Sequence, residues 1–168
     1  MRYLILVLLP LLALLLQTTL FSSLAIQGTV PDMILIMVIF YAIFNGATKG
    51  TVYGAVCGLL EDLYLGRFIG SNAVSKGVTA YIIGRLQGNV FKENILVGVI
   101  GVIGGTLVNS FIILLLSIIS SGSIKFTKFI VWGIGWELVY NLIITIPLYI
   151  WYYRSSRRGL LRETGIYK

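Results

Sequence analysis

The sequence predicts an all-α integral membrane protein, a compact bundle of six transmembrane helices with both termini cytoplasmic. Three observations carry that expectation. Of the 168 residues, 58% are hydrophobic and 11% charged, against roughly 25% charged in a soluble domain. The mean hydropathy is +0.96. Apolar runs recur along the whole chain, several near the roughly 20 residues that cross a bilayer as a helix, and short polar breaks separate them. The chain therefore reads as one polytopic domain over 1–168, with no room for a soluble domain beside it.

The elements follow in order. The first run, residues 3–24, comes after Met1-Arg2 and ends near Ser23-Leu24-Ala25, small enough for a signal peptidase. It exceeds the roughly 7–15 residues of a leader's apolar region, so a retained first span is expected. Pro31-Asp32 opens the second span, 32–45; Pro suits a first helical turn, and Asp suits the positive end of the helix dipole. A polar hinge at 45–49 leads into the third span, 48–65, making a tight hairpin with the second. A turn at 66–71 precedes the fourth span, 71–86. After a polar break at 89–94 come the fifth span, 95–119, a Ser/Gly-bearing loop, 120–128, and the sixth span, 129–153. A basic tail, 154–168, closes the chain. No internal repeat stands out.

Six spans bring both ends to one side, and the charges choose it. Arg2, Lys49, Arg85, Lys92, Arg154, Arg157, Arg158, Arg162 and Lys168 fall on one side, and Arg67, Lys125 and Lys128 on the other. The positive-inside rule makes the first side cytoplasmic. Arg154, Arg157, Arg158 and Arg162 then read as a topology anchor that attracts anionic membrane lipid. Nucleic acid is not an expected partner. Trp151, Tyr152 and Tyr153 before the tail suit the inner aromatic belt, with Trp132 and Trp136 toward the outer half.

Composition also limits chemistry. There is no His and one Cys, Cys57, within an apolar run, so zinc clusters, disulfides and His-centred catalysis lack their residues. No cofactor, no metal and no enzymatic activity are expected.

Small residues form three stripes. Gly46, Gly50, Gly54 and Gly58 share one helix face at a spacing of four and run into Glu61-Asp62. Ala73, Gly77, Ala80 and Gly84 follow the three-four spacing of a heptad seam, and Gly101 and Gly105 make a further GxxxG, with Gly98 and Gly104 nearby. Such faces let helix backbones approach closely. They serve packing inside the bundle, or a surface for a partner protein or a homo-oligomer.

Ionisable residues within spans are costly, about 2.5–3.5 kcal/mol each on insertion scales, so they must face protein or water. Glu61 and Asp62 close the third helix, Lys76 lies early in the fourth, and Glu137 lies about 14 Å along a helix from Lys128. All four belong to the outer half. Lys76 is expected to pair with Glu137 or Glu61, either as a structural pin between helices or as part of a small-ligand or proton site. Gln17, Asn109, Ser110 and Asn141 read as interhelical hydrogen-bonders.

Leu16-Gln17-Thr18-Thr19-Leu20, Pro31-Asp32-Met33-Ile34-Leu35, then Gly50, Gly54, Gly58-Leu59-Leu60-Glu61-Asp62 and Ile69-Gly70 resemble the MreD family of rod shape-determining proteins. Asn141 and Pro147 also look like that family's last helix. The resemblance covers nearly the whole chain and is most specific from Gly58 to Asp62 with Gly70. It does not extend to fixed charges at Lys76 and Glu137.

The resemblance implies a bacterial plasma-membrane, non-catalytic scaffold subunit of the cell-elongation machinery for peptidoglycan. Its partner would be the single-span protein MreC, with a SEDS glycosyltransferase, a penicillin-binding transpeptidase and actin-like MreB in the wider complex. The MreD family also resembles the substrate-binding subunits of energy-coupling factor vitamin transporters. That implies an alternative: a small-molecule binding or transport subunit with an outward-facing pocket lined by Glu61, Lys76 and Glu137.

Overall fold

The computed structural model describes residues 2–23, 25, 28–66, 68–86, 94–121 and 128–158, and side chains at 2–3, 121, 128–131 and 156–158 fall outside the description. The described residues form six helices and no strand: α1 (Arg2–Ser23), α2 (Met33–Asn45), α3 (Ala47–Leu65), α4 (Ser71–Arg85), α5 (Ile95–Ser121) and α6 (Lys128–Arg158). Each corresponds to one expected apolar segment. Three of them, α1, α5 and α6, contain stretches long and apolar enough to cross a membrane: Leu4–Ser23, Ile95–Ser120 and Trp132–Ser155.

Of the other three helices, α2 and α4 differ for a physical reason. With 13 residues, α2 rises only about 20 Å, short of the roughly 30 Å hydrocarbon core. It is apolar all round, and Met33 to Phe40, Ala42 and Ile43 are all buried. It touches each of the other five helices. α2 is thus the axis of the bundle. α4 has 15 residues and buries Ser75, Lys76 and Thr79; the Lys76 ammonium is met by carboxylates outside its own helix rather than by lipid.

The core has two adjoining parts around α2. One packs Leu35, Ile36, Ile39, Phe40 and Ile43 against Val102, Tyr149 and Tyr152, with the Phe40 and Tyr149 rings edge-to-face at 5.1 Å. The other packs Ala13 and Leu14 of α1, Met33, Ile34, Met37, Val38 and Ala42 of α2, Cys57 and Ala80.

Two points of the sequence reading change. The hinge between α2 and α3 is a single residue, Gly46, instead of a polar stretch over 45–49. Gly46 is also not the first rung of the helical ladder. Its φ of 90° lies where a side chain would be strained, so the chain turns there. Its N–H donates to the Ala42 carbonyl at 2.8 Å, and its own carbonyl accepts from the Gly50 N–H at 2.9 Å.

Within α1, Pro10 lacks the N–H that would have bonded the Leu6 carbonyl. The Tyr53 hydroxyl of α3 donates to that carbonyl at 3.0 Å. A freed backbone acceptor is thereby satisfied inside an apolar bundle, where water is not available to do it.

Candidate functional site

The glycine faces of α3 and α4 meet each other. A Cβ on Gly54 would lie 2.7 Å from the Lys76 carbonyl oxygen, and one on Gly58 would lie 2.6 Å from the Ala73 nitrogen and overlap the Asn72 carbonyl. Gly50 faces the Ala42 Cβ of α2 at 2.7 Å and the Ala80 carbonyl at 3.5 Å. From the other side, Gly84 lies against the Ala47 backbone and Gly77 opposite Ala55. On α5, Gly101 receives Ile43 and Gly105 receives Ile39 of α2, while Gly98 accommodates the Tyr149 ring of α6. The three stripes are turned toward other helices of the same chain.

The acidic end of the ladder divides into two tasks. Asp62 is fully buried and clamps the N-terminus of α4. One of its carboxylate oxygens accepts from the N–H groups of Gly70 (2.9 Å) and Ala73 (3.1 Å). The other accepts from the Asn72 N–H (3.1 Å), the Asn72 side-chain amide (2.9 Å) and the Ser71 hydroxyl (3.4 Å). These backbone donors are among those a helix start leaves unpaired, and the dipole there favours an anion. Gly70, at φ 103°, makes the turn that aims them at Asp62.

Glu61 faces the bundle interior. Lys76, with no exposed surface, places its Nζ 2.8 Å from Glu61 Oε2 and 2.5 Å from Asp32 Oδ2. The other Asp32 oxygen caps α2, accepting from the Leu35 N–H at 2.8 Å. One ammonium therefore joins α2, α3 and α4. The expectation that Lys76 pairs with Glu61 or Glu137 is corrected in part: Glu61 is a partner, Asp32 is the second, and Glu137 makes no ion pair among the described residues. Glu137 lies within electrostatic reach of all three, beside Ser110 of α5.

Asn141 carries the network on to the long helices. It is fully buried; its Oδ1 accepts from the Asp32 N–H at 2.9 Å, and its Nδ2 donates to the Thr106 hydroxyl at 3.1 Å. Thr145 donates to the Asn141 carbonyl at 2.6 Å. Asn109 and Ser110 are buried one turn along α5 from Thr106, and Thr79 is buried on α4 one turn from Lys76. Asn109 Oδ1 and Thr79 Oγ1 have no hydrogen-bond partner among the described residues, and the Ser110 hydroxyl faces the Glu137 carboxylate. The site thus draws on α2 to α6 and is built of charged groups, an amide pair and hydroxyls.

A model of the family described as rod shape-determining protein MreD matches residues 1–158. The chain belongs to the MreD family. Comparisons with curated proteins and with solved structures give no match. MreD is a bacterial membrane family that acts in rod-shape determination, and the all-helical architecture with three long apolar helices agrees with membership.

In this MreD chain the remaining residues of interest are dispersed. Pro31 is buried beside Asp32, and Gln17 of α1 has a buried Oε1 without a hydrogen-bond partner among the described residues. Arg154 is exposed on α6, Arg157 and Arg158 belong to that helix with side chains outside the description, and Arg162 lies outside the described residues. Sequence reasoning missed Thr79, Thr106 and Thr145, and the pairing role of Asp32. A signal for Asp32 was present: the expected alternation of spans puts the start of the second, the end of the third and the start of the fourth at one end of the bundle.

Proposed function

We propose that the chain is a non-catalytic scaffold subunit of the bacterial cell-elongation complex, holding an MreC-type single-span protein and, through it, the peptidoglycan synthases near actin-like MreB. Membership of the MreD family carries the reading. The geometry supports it, because Asp32, Glu61, Asp62, Lys76 and Asn141 are committed to fixing helices. Lys76, the cation that a ligand carboxylate would need, is already held by Asp32 and Glu61. That arrangement weighs against the vitamin-transporter-like alternative. In the proposed topology the six helices form one transmembrane bundle, the short α2 crossing within the shelter of the others, both ends are cytoplasmic, and Arg154, Arg157, Arg158 and Arg162 anchor the inner surface.

With the glycine stripes turned inward, partner contact falls to the outer helix ends and to exposed apolar faces such as Leu4, Leu8, Leu11 and Leu15 of α1. Depletion of the protein in its own cell, followed by imaging, tests the function: rods should widen and round up. Cells that kept normal width and shape would refute it. Co-purification with the single-span partner tests the scaffold role, and loss of rod shape with no such association would leave the scaffold mechanism wrong while the family role stood.

A further inference from the structure

We propose that Glu137, Ser110 and Asn109 form an intramembrane binding site for a small hard monovalent cation, sodium foremost. The first argument is charge. Asp32, Glu61, Lys76 and Glu137 lie within mutual electrostatic reach, three carboxylates to one ammonium. The two carboxylates in contact with Lys76 share its charge, and Asp32 is further compensated by the N-terminus of α2. Glu137 is left with no ion pair among the described residues, in surroundings already negative, where an uncompensated carboxylate is expensive.

The second argument is the row of unsatisfied oxygens. Asn109 is 1% exposed and Ser110 7%; Asn109 Oδ1 has no hydrogen-bond partner among the described residues, and the Ser110 hydroxyl faces the Glu137 carboxylate, with its oxygen lone pairs unused. Native interiors rarely leave such atoms unpaired, so each calls for a water or an ion. The antiparallel register of α5 and α6 brings them to Glu137. Thr106 bonds Asn141; one turn forward on α5 reaches Asn109 and Ser110, and one turn back on α6 reaches Glu137. Thr79 of α4, whose Cγ2 lies against Gly105 one turn before Asn109, offers a further unpaired hydroxyl.

A carboxylate, an amide carbonyl and hydroxyls are hard oxygen donors without nitrogen or sulfur, the set that suits an alkali cation rather than a transition metal. Glu137 is only partly buried and takes no part in the Lys76 pairs. The inference is independent of the shape-determination reading, since a cation here would tie α5 and α6 to the α2–α4 unit whatever partner the protein holds.

The test uses the full chain in lipid nanodiscs, with radioactive sodium binding and thermal unfolding in sodium chloride against N-methyl-D-glucamine chloride at matched ionic strength. The expected result is saturable binding of about one ion per chain and a melting temperature about 3–6 °C higher when sodium is near ten times its dissociation constant. Glu137→Gln, and the milder Ser110→Ala, should lose or weaken binding while melting as wild type does without sodium. Absence of saturable sodium binding to the wild-type chain would overturn the proposal. Binding that survives unchanged in Glu137→Gln would do so as well.

Discussion

Replacing Lys76 with Met keeps the length and apolar stem of the side chain and removes its ammonium. Asp32 and Glu61, paired at 2.5 and 2.8 Å in the native chain, would then be buried anions with no counter-charge. Removing one partner of a buried ion pair costs about 3–5 kcal/mol, mostly as the burden of the charge left behind. For a chain of this size that corresponds to a melting temperature lower by about 6–20 °C. The cost should be reversible by neutralising what was orphaned. Asp32→Asn keeps an α2 cap, because Asn serves as an N-cap as well as Asp, and Glu61→Gln keeps shape. The triple variant Asp32→Asn, Glu61→Gln, Lys76→Met should therefore recover most of the loss, since a buried ionic cluster replaced whole is often neutral. Thermal unfolding of the wild type, Lys76→Met and the triple variant in one detergent measures both steps. If Lys76→Met melts within about 1 °C of wild type, or if the triple variant is worse than the single, the pairing does not hold these helices and the reasoning fails.

Three further outcomes follow from the packing. Gly54→Leu should prevent α3 and α4 from closing, with a cost of at least the 1–3 kcal/mol typical of overpacking, read as loss of monodisperse protein in size-exclusion chromatography; a folded variant would contradict the inward face. Asp62→Ala should deprive the start of α4 of its acceptor, costing about 1–3 kcal/mol, and hydrogen exchange should rise first at the amides of Gly70, Asn72 and Ala73. Tyr53→Phe should cost about 1 kcal/mol by freeing the Leu6 carbonyl. In a Pro10→Ala background, where the helix supplies its own donor, the same change should cost little, and equal costs in both backgrounds would disprove the link.

The parts of this fold that were legible in the sequence are those for which lipid leaves only a short vocabulary. Apolar tails solvate apolar helices as well as one another, so association falls to small residues and to polar groups that need partners. Gly50, Gly54 and Gly58 could be read because a spacing of four fixes one helix face, and Lys76 because an ammonium at that depth requires an anion. What the spacing does not encode is backbone conformation or the choice among equivalent partners. Gly46 keeps the rhythm of the ladder, yet its φ of 90° ends α2 and starts α3, and periodicity treats a rung and a hinge alike.

Asp32 shows the second gap. As a helix opener it had a sufficient local role, and that role is real, since one oxygen caps Leu35. The other oxygen was free to take Lys76, a pairing set by how far α2 sinks into the bundle. That depth follows from α2 itself, which is apolar on every side and too short to span unaided, so its polar start descends among the helices that surround it. The buried charge is then a consequence of the short axis: Asp32 at the head of α2 needs a cation within the bundle, and α4 supplies it where the glycine face of α3 lets the two backbones meet.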